Sequence, residues 1–287
     1  MADILPLVSF QSEVVDWYLA NLRDLPWRRD TTPWGVLLSE VMSHQTQVER
    51  VAPIWQEWIA RWPTPESFAA AGTDEILRAW GSLGYPRRAL RLKECAQVIV
   101  DKHAGRVPDT VEELLALPGI GEYTARAVAC FAFGRNVAVV DTNVRRVHAR
   151  AIKGLENQAA RKSEVAEVAE LLPSRNGPVF SEGLIELGAL VCKTAPLCGA
   201  CPVSRCEWRE RGYPKTFQKK KSQRFEGTDR QVRGKIMRAL REAEGPVPQS
   251  EIDVVWPDAA QRSRALGSLL ADGLLEQNER GYFHLPR

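Results

Sequence analysis

Residues 114–133 read LLALPGIGEYTARAVACFAF, two apolar helical runs broken by Pro118-Gly119-Ile120-Gly121. Proline cannot continue the first run, and glycine accepts a tight turn. The expected unit is a helix ending at Leu117, a turn, and a second helix starting near Glu122. Two glycines let backbone approach a phosphate closely, and the second helix presents its N-terminal N–H groups to that anion. Leu117, Pro118, Gly119 and Gly121 are therefore candidate phosphate contacts, although such a turn can also be purely structural. Helix starts recur elsewhere, at Thr32-Pro33, Thr64-Pro65, Thr73 with Asp74 and Glu75, and Thr110-x-x-Glu113. Alternating apolar runs are few and short, which predicts an all-α fold with no large sheet. The 287 residues, 44% hydrophobic and 26% charged, are enough to bury cores without disulfides and exclude a disordered chain. No apolar run nears the ~18 residues of a membrane span, and the N-terminus has no signal-peptide pattern. A cytoplasmic protein is expected.

Four of the six cysteines crowd together as Cys192, Cys198, Cys201 and Cys206, spaced C-x5-C-x2-C-x4-C. In a cytosolic chain such a cluster suggests a metal, and the spacing leaves tetrahedral zinc and [4Fe–4S] both open. Cys95 and Cys130 lie in apolar helical stretches and read as inert core thiols. Between Arg205 and Arg224 eight basic residues meet two acidic ones, a net +6, which suits either a solvated linker or a phosphate contact. The run Val139-Val140-Asp141-Thr142-Asn143 places Asp141 as an N-cap, where a carboxylate accepts backbone N–H bonds and stays ionised. An Asp there is either only a cap or, facing a cleft, a stabiliser of positive charge. Residues 213–229 are polar and basic, as in a linker. Beyond them, 230–287 reads as helices over Val232–Ala243, Gln249–Val255 and Ala259–Asp272, then a hairpin around Glu279-Arg280-Gly281, the pattern of a winged helix.

The hairpin, the following Asp and the four-cysteine loop together resemble the helix-hairpin-helix DNA glycosylase superfamily, in its endonuclease III and MutY branch. Leu25-Pro26-Trp27-Arg28, Thr32-Pro33-Trp34, Leu38-Ser39-Glu40-Val41-Met42 and Trp80-Gly81-Ser82-Leu83-Gly84-Tyr85 resemble MutY adenine glycosylases in particular. The resemblance spans roughly residues 10–210. It implies a six-helix barrel lobe with the hairpin (29–134) and an iron–sulfur helical lobe (1–28 and 135–212). The basic linker (213–229) and the winged-helix-like unit (230–287) follow these lobes. By the same resemblance Glu40 is the general acid that protonates N7 of a flipped adenine. Asp141 stabilises the oxocarbenium-like sugar, and Asn143 and Tyr123 support the pair. Tyr85 is the wedge beside the opposing base and Gln45 fills the gap; Arg28, Ser43 and His44 join them on the DNA-binding surface. The four cysteines match the ligands of a [4Fe–4S] cluster.

Chemistry supports the same roles. A base inside a duplex must be extruded before it can be cut out. Cleaving its glycosidic bond needs a proton for the leaving base and negative charge beneath the sugar, which two differently placed carboxylates supply. Glu40 lies mid-helix beside Leu37 and Val41, where partial burial favours its acid form. Lyase members carry a lysine where this chain has Tyr123, so no Schiff base forms at that position.

Three departures stand out. Met42-Ser43-His44-Gln45-Thr46 replaces the usual Met-Leu-Gln-Gln-Thr, which points either to a tolerated change or to altered base choice. Both the first and last cysteine intervals are one residue short of the family's. A winged-helix-like unit stands where MutY proteins often carry a Nudix-like domain. The expected function is a monofunctional glycosylase removing adenine opposite 8-oxoguanine or guanine, acting as a monomer on mismatched or lesion-containing double-stranded DNA at the bacterial nucleoid. The alternatives are a thymine/uracil mismatch glycosylase and a non-catalytic, zinc-containing DNA-binding regulator.

Overall fold

Side-chain caps set the helix starts in the computed structural model, which describes residues 4–29, 31–215 and 225–287. After α1 (Ile4–Ala20), the Thr32 hydroxyl accepts the Gly35 N–H at 3.2 Å and Pro33 opens α2 (Pro33–Ser43). Following α3 (Val48–Arg61), Thr64 and Ser67 close a reciprocal capping box on α4 (Pro65–Ala69). The Glu75 carboxylate accepts the Gly72 N–H at the start of α5 (Thr73–Trp80). After α6 (Arg87–His103), the Glu113 N–H donates to the Thr110 hydroxyl at the start of α7 (Val111–Leu115). That helix stops two residues short of the expected Leu117, because a residue before proline is driven out of the α region. The turn closes with Ile120 N–H on the Leu117 carbonyl, and α8 (Glu122–Phe133) follows.

The chain divides into two compact units. The first comprises Met1–Val36, Asp109–Leu115 and Gly121–Lys220. In it α9 (Thr142–Ala151) and α1 both pack on α11 (Gly177–Leu190), which follows α10 (Glu164–Ala169) and precedes α12 (Glu207–Glu210). A Cβ on Gly183 of α11 would lie 2.9 Å from a Val14 methyl, so only glycine lets α1 approach this closely. Phe10 and Phe180 meet edge-on at 5.9 Å within a core that includes Val144, Leu184 and Leu187. Glu186 is 1% exposed in the same helix and is paired by Arg23 and Arg28 at 2.7 and 2.6 Å.

The second unit comprises Leu37–Pro108, Ala116–Ile120 and Lys221–Arg287. Its helices α3–α6 enclose Trp58, Trp62, Phe68 and Trp80, whose rings pack 5.1–5.6 Å apart. The C-terminal segment forms α13 (Asp229–Glu242), α14 (Gln249–Asp253), α15 (Ala259–Ala271) and an antiparallel hairpin of β1 (Glu276–Gln277) and β2 (Phe283–His284). Val247 bridges Phe283 on the other side, giving the expected three helices and wing. Helix α13 packs on α15 and on α5, and Arg78 donates to the Arg241 carbonyl. The hairpin is the only sheet among the described residues. The fold is thus all-α apart from that wing. Residues 216–224, which carry much of the expected basic run, lie outside the described residues. No helix among the described residues is long and apolar enough to cross a membrane.

Candidate active site and nucleic-acid interface

Asp141 is the N-cap of α9, as its sequence context implies. Its Oδ1 accepts the N–H groups of Asn143 (2.8 Å) and Val144 (2.7 Å), and its Oδ2 accepts the Asn143 side-chain amide at 2.8 Å. The amide is fixed in turn, because Asn143 Oδ1 accepts Arg146 Nη2 at 2.7 Å. Arg146 also donates to the Gly188 and Cys192 carbonyls. A Cβ on Gly188 would fall 2.6 Å from the Asn143 Cβ, so this glycine admits the cap. Burial raises the Asp141 carboxyl above its ordinary range, outweighing the hydrogen bonds from Val144 and Asn143 and the Arg146 charge. Tyr123, half-buried on α8, packs against Ala127, Cys130 and Val139 of the same unit.

Glu40 sits on α2 among Leu37, Leu38, Val41 and Met42, all buried, and is itself half-buried. Ser43 ends that helix and His44 follows it, both half-buried, and burial followed by the Arg88 charge lowers the His44 pKa. Gln45 and Tyr85 are exposed, and both hold left-handed backbone, at φ 55° and 48°. A non-glycine residue there costs roughly 1–3 kcal/mol and persists where its surroundings dictate it. The surroundings are visible. Arg88 bonds the carbonyls just before each residue, those of His44 and Gly84, at 2.8 and 3.1 Å. Arg230 of α13 donates to the Tyr85 hydroxyl at 3.2 Å, so the C-terminal segment touches Tyr85.

The hairpin turn supplies a third element. Leu117 and Ile120 are buried, Pro118 is half-buried, and Gly119 and Gly121 are exposed. Gly119 holds φ +76° with the Arg91 Cβ only 2.8 Å from where its own Cβ would be, so no other residue fits. Gly121 has open space around it, which leaves room for a ligand beside the first N–H groups of α8. A pocket of about 230 Å³ lies where Pro118 and Gly119 meet Arg87, Arg88, Arg91 and His44. Of its arginines, Arg87 pairs with Asp272 at 3.2 Å and Arg91 with Glu94 at 2.6 Å.

Arg28 is placed differently from the other expected contacts. Its guanidinium, 14% exposed, bonds Glu186 and the Arg23 carbonyl and lies 5.7 Å from the Tyr18 ring. The structure accounts for it by this ion pair. Burial pushes the Glu186 carboxyl up, yet the hydrogen bonds and charges of Arg23 and Arg28 prevail and leave it below its ordinary range.

Cys192, Cys201 and Cys206 pack against the core of the first unit and interact electrostatically with one another. Arg150 Nη1 lies 3.6 Å from the Cys192 sulfur, and Cys206 bonds the Arg150 carbonyl. The Arg150 and Arg146 cations beside Cys192 would offset thiolate charge there, as a cluster ligand needs. Among the described residues no three His, Cys, Asp or Glu side chains are gathered closely enough to hold a metal ion. Cys95 and Cys130 are buried core thiols, and burial pushes Cys95 up to about 12.

Arg88, Arg91, Arg146 and Glu186 were not legible as site or support residues. The available signal was charge in the wrong place: two arginines opening α6 and a carboxylate within the apolar α11.

Comparison with known proteins bears on these elements together. Residues 38–174 match the HhH-GPD superfamily of base excision DNA repair proteins. An adenine DNA glycosylase of Mycolicibacterium smegmatis is 54% identical over 277 residues, 95% of this chain and 94% of its own. Among solved structures, a thermostable thymine-DNA glycosylase aligns over 74% of this chain and 100% of its own, with TM-score 0.69 and 30% identity. A trapped endonuclease III–DNA covalent intermediate aligns over 71% and 95%, with TM-score 0.60 and 26% identity. The likeness to glycosylases sets aside the non-catalytic regulator. The chain belongs to the HhH-GPD superfamily of base excision DNA repair enzymes, in its MutY-type adenine DNA glycosylase branch.

Proposed function

We propose that this protein is a monofunctional glycosylase that acts as a monomer on double-stranded DNA and removes adenine opposite 8-oxoguanine or guanine. The observation that carries the reading is the end-to-end likeness to an adenine DNA glycosylase at 54% identity. The catalytic step needs one acid and one anion. Glu40 gives a proton to N7 of the extruded adenine, and the glycosidic bond breaks with its electron pair leaving on the base. Asp141 holds the resulting sugar cation until water adds at C1′, the water's proton passing to a carboxylate. Asn143 and Arg146 keep the Asp141 carboxylate oriented. Tyr123 supplies no amine, so the reaction ends at the abasic site.

Gln45 and Tyr85 read the opposing strand, and Ser43 and His44 extend that surface from the end of α2. Pro118, Gly119 and Gly121 meet a backbone phosphate at the hairpin, with Leu117 anchoring the turn in the core. Cys192, Cys198, Cys201 and Cys206 hold a [4Fe–4S] cluster. When bound, it supplies structural cross-linking of the loop rather than acid–base chemistry, and Arg146 and Arg150 balance its thiolates.

Strand cleavage after alkali, over duplexes with A, T, U or hypoxanthine opposite G, 8-oxoguanine, C and T, tests the substrate. Excision of A opposite 8-oxoguanine and G is expected. Preferential removal of T or U opposite G would favour the second reading, for which the likeness to the thymine-DNA glycosylase speaks. Iron and acid-labile sulfide in anaerobically purified protein are expected, and zinc without iron would overturn the cluster.

A further inference from the structure

Arg88 makes six side-chain hydrogen bonds within the second unit. Nη1 donates to the carbonyls of Val41 (2.7 Å), Met42 (3.2 Å) and His44 (2.8 Å). Nη2 donates to Thr46 Oγ1 (3.3 Å), Leu83 O (3.3 Å) and Gly84 O (3.1 Å). The guanidinium lies 4.9 Å from the Trp80 ring and 5.9 Å from the Tyr85 ring. None of these partners is a carboxylate. Carbonyls and ring faces solvate this cation, and burial lowers its pKa to about 10.

Its place in the fold is locally unfavourable. Arg88 stands in the first turn of α6, which holds no acidic residue, so its charge faces the positive end of that helix. The compensation is elsewhere. Val41 and Met42 offer two of the unpaired carbonyls at the C-terminus of α2, where a cation is favoured. The other bonds fall on two loops far apart in sequence, 44–46 and 83–85, each containing one left-handed non-glycine residue. Thr46 ties the loops a second time, donating to the Leu83 carbonyl at 3.2 Å. Trp80 Nε1 holds the Gly84 carbonyl at 2.8 Å.

We propose that Arg88 is a positioning residue for opposing-base discrimination, holding Gln45 and Tyr85 in fixed relation to each other and to the end of the Glu40 helix. The inference rests on Gln45 and Tyr85 being opposing-strand contacts. A fork of fixed geometry is required, because two acceptors on α2 and four in two loops cannot all be bridged by a point charge on a flexible stem. Lysine keeps the charge and loses the bridge.

The test compares Arg88→Lys, Thr46→Val, Gln45→Ala and Tyr85→Ala in the full chain. Single-turnover excision rates, normalised to active-enzyme concentration, give the ratio for A opposite 8-oxoguanine over A opposite C. A 2-aminopurine beside the opposing base reports insertion of the wedge without turnover. Arg88→Lys is expected to lower the ratio by about tenfold, the worth of one good base contact, and to flatten the fluorescence rise. Thr46→Val, which removes one hydroxyl, moves both readouts the same way by a smaller factor. A merely structural residue would lower melting temperature and active fraction and leave the normalised ratio unchanged. If Gln45→Ala and Tyr85→Ala lose discrimination while Arg88→Lys keeps it, the inference fails and the contact reading stands. If Arg88→Lys does not fold, an unchanged Thr46→Val ratio overturns it. If Gln45→Ala and Tyr85→Ala both keep discrimination, the contact reading fails and the inference with it.

Discussion

Replacing Asp141 by asparagine separates its two duties, because the structure fixes which survives. Asn can still accept the Asn143 and Val144 N–H groups through its single carbonyl oxygen, so the α9 cap remains. Its amide nitrogen then occupies the Oδ2 position, facing the Asn143 amide at what was a 2.8 Å bond. Asn143 cannot flip to relieve this without losing its bond from Arg146. That clash costs about 1 kcal/mol, the worth of one hydrogen bond. Removing a buried charge offsets it, so net stability should change by no more than about 1 kcal/mol. Catalysis should not be spared. Losing a preorganised counter-charge costs roughly 3–4 kcal/mol, or 10²–10³ in rate. The assay is single-turnover excision with saturating enzyme, beside urea denaturation of both proteins. A rate within about tenfold of wild type would refute the assignment.

A pH signature accompanies it. The raised pKa of Asp141 means its ionisation costs stability as pH rises through the folded value. Wild type should lose stability over that window and Asp141→Asn should not. Activity runs the other way, with an acidic limb displaced above the ordinary carboxylate range.

Further outcomes are expected. Glu40→Gln should bind DNA in a gel-shift assay with near wild-type affinity yet lose excision, since an amide delivers no proton; retained excision would sink the acid role. Borohydride should trap no efficient enzyme–DNA adduct, because Tyr123 cannot form a Schiff base; efficient trapping would remove the monofunctional label. Glu186→Gln should cost about 3–5 kcal/mol in urea denaturation, by leaving two arginine charges without their buried partner. The Glu186 carboxyl is held below its ordinary range, so this stabilisation is present above the unfolded value and fades as pH falls through the folded one. The difference between the two proteins should therefore shrink on acidification.

What could be read ahead of the structure was what depends on near neighbours. The threonine caps and Asp141 as an N-cap involve residues two or three apart, and the C-terminal helices and hairpin follow from local periodicity. Leu117 falls outside its helix for an equally local reason, the following proline. The direction of the Asp141 shift was not legible, since burial comes from distant packing. Arg88 carries no local signal, because its acceptors lie as many as 47 residues away. Glu186 finds its partners 158 and 163 residues away. That α13 lies on α5 could not be inferred from either segment, since each is amphipathic and names no partner.

The pairing of α1 with α11 has a consequence for synthesis. Gln11 bonds the Leu171 carbonyl and Tyr18 bonds Glu182, contacts 160 and 164 residues apart. At roughly 5–20 residues per second, α1 waits about 10–30 s on the ribosome before its partner is made. Through that interval Phe10 and Val14, both core residues in the finished protein, lack their seat on α11. The helices between Leu37 and Pro108 are translated within the same interval. Misfolding during translation should therefore concentrate on the first unit, and chains stalled before Gly177 should be the ones that chaperones retain.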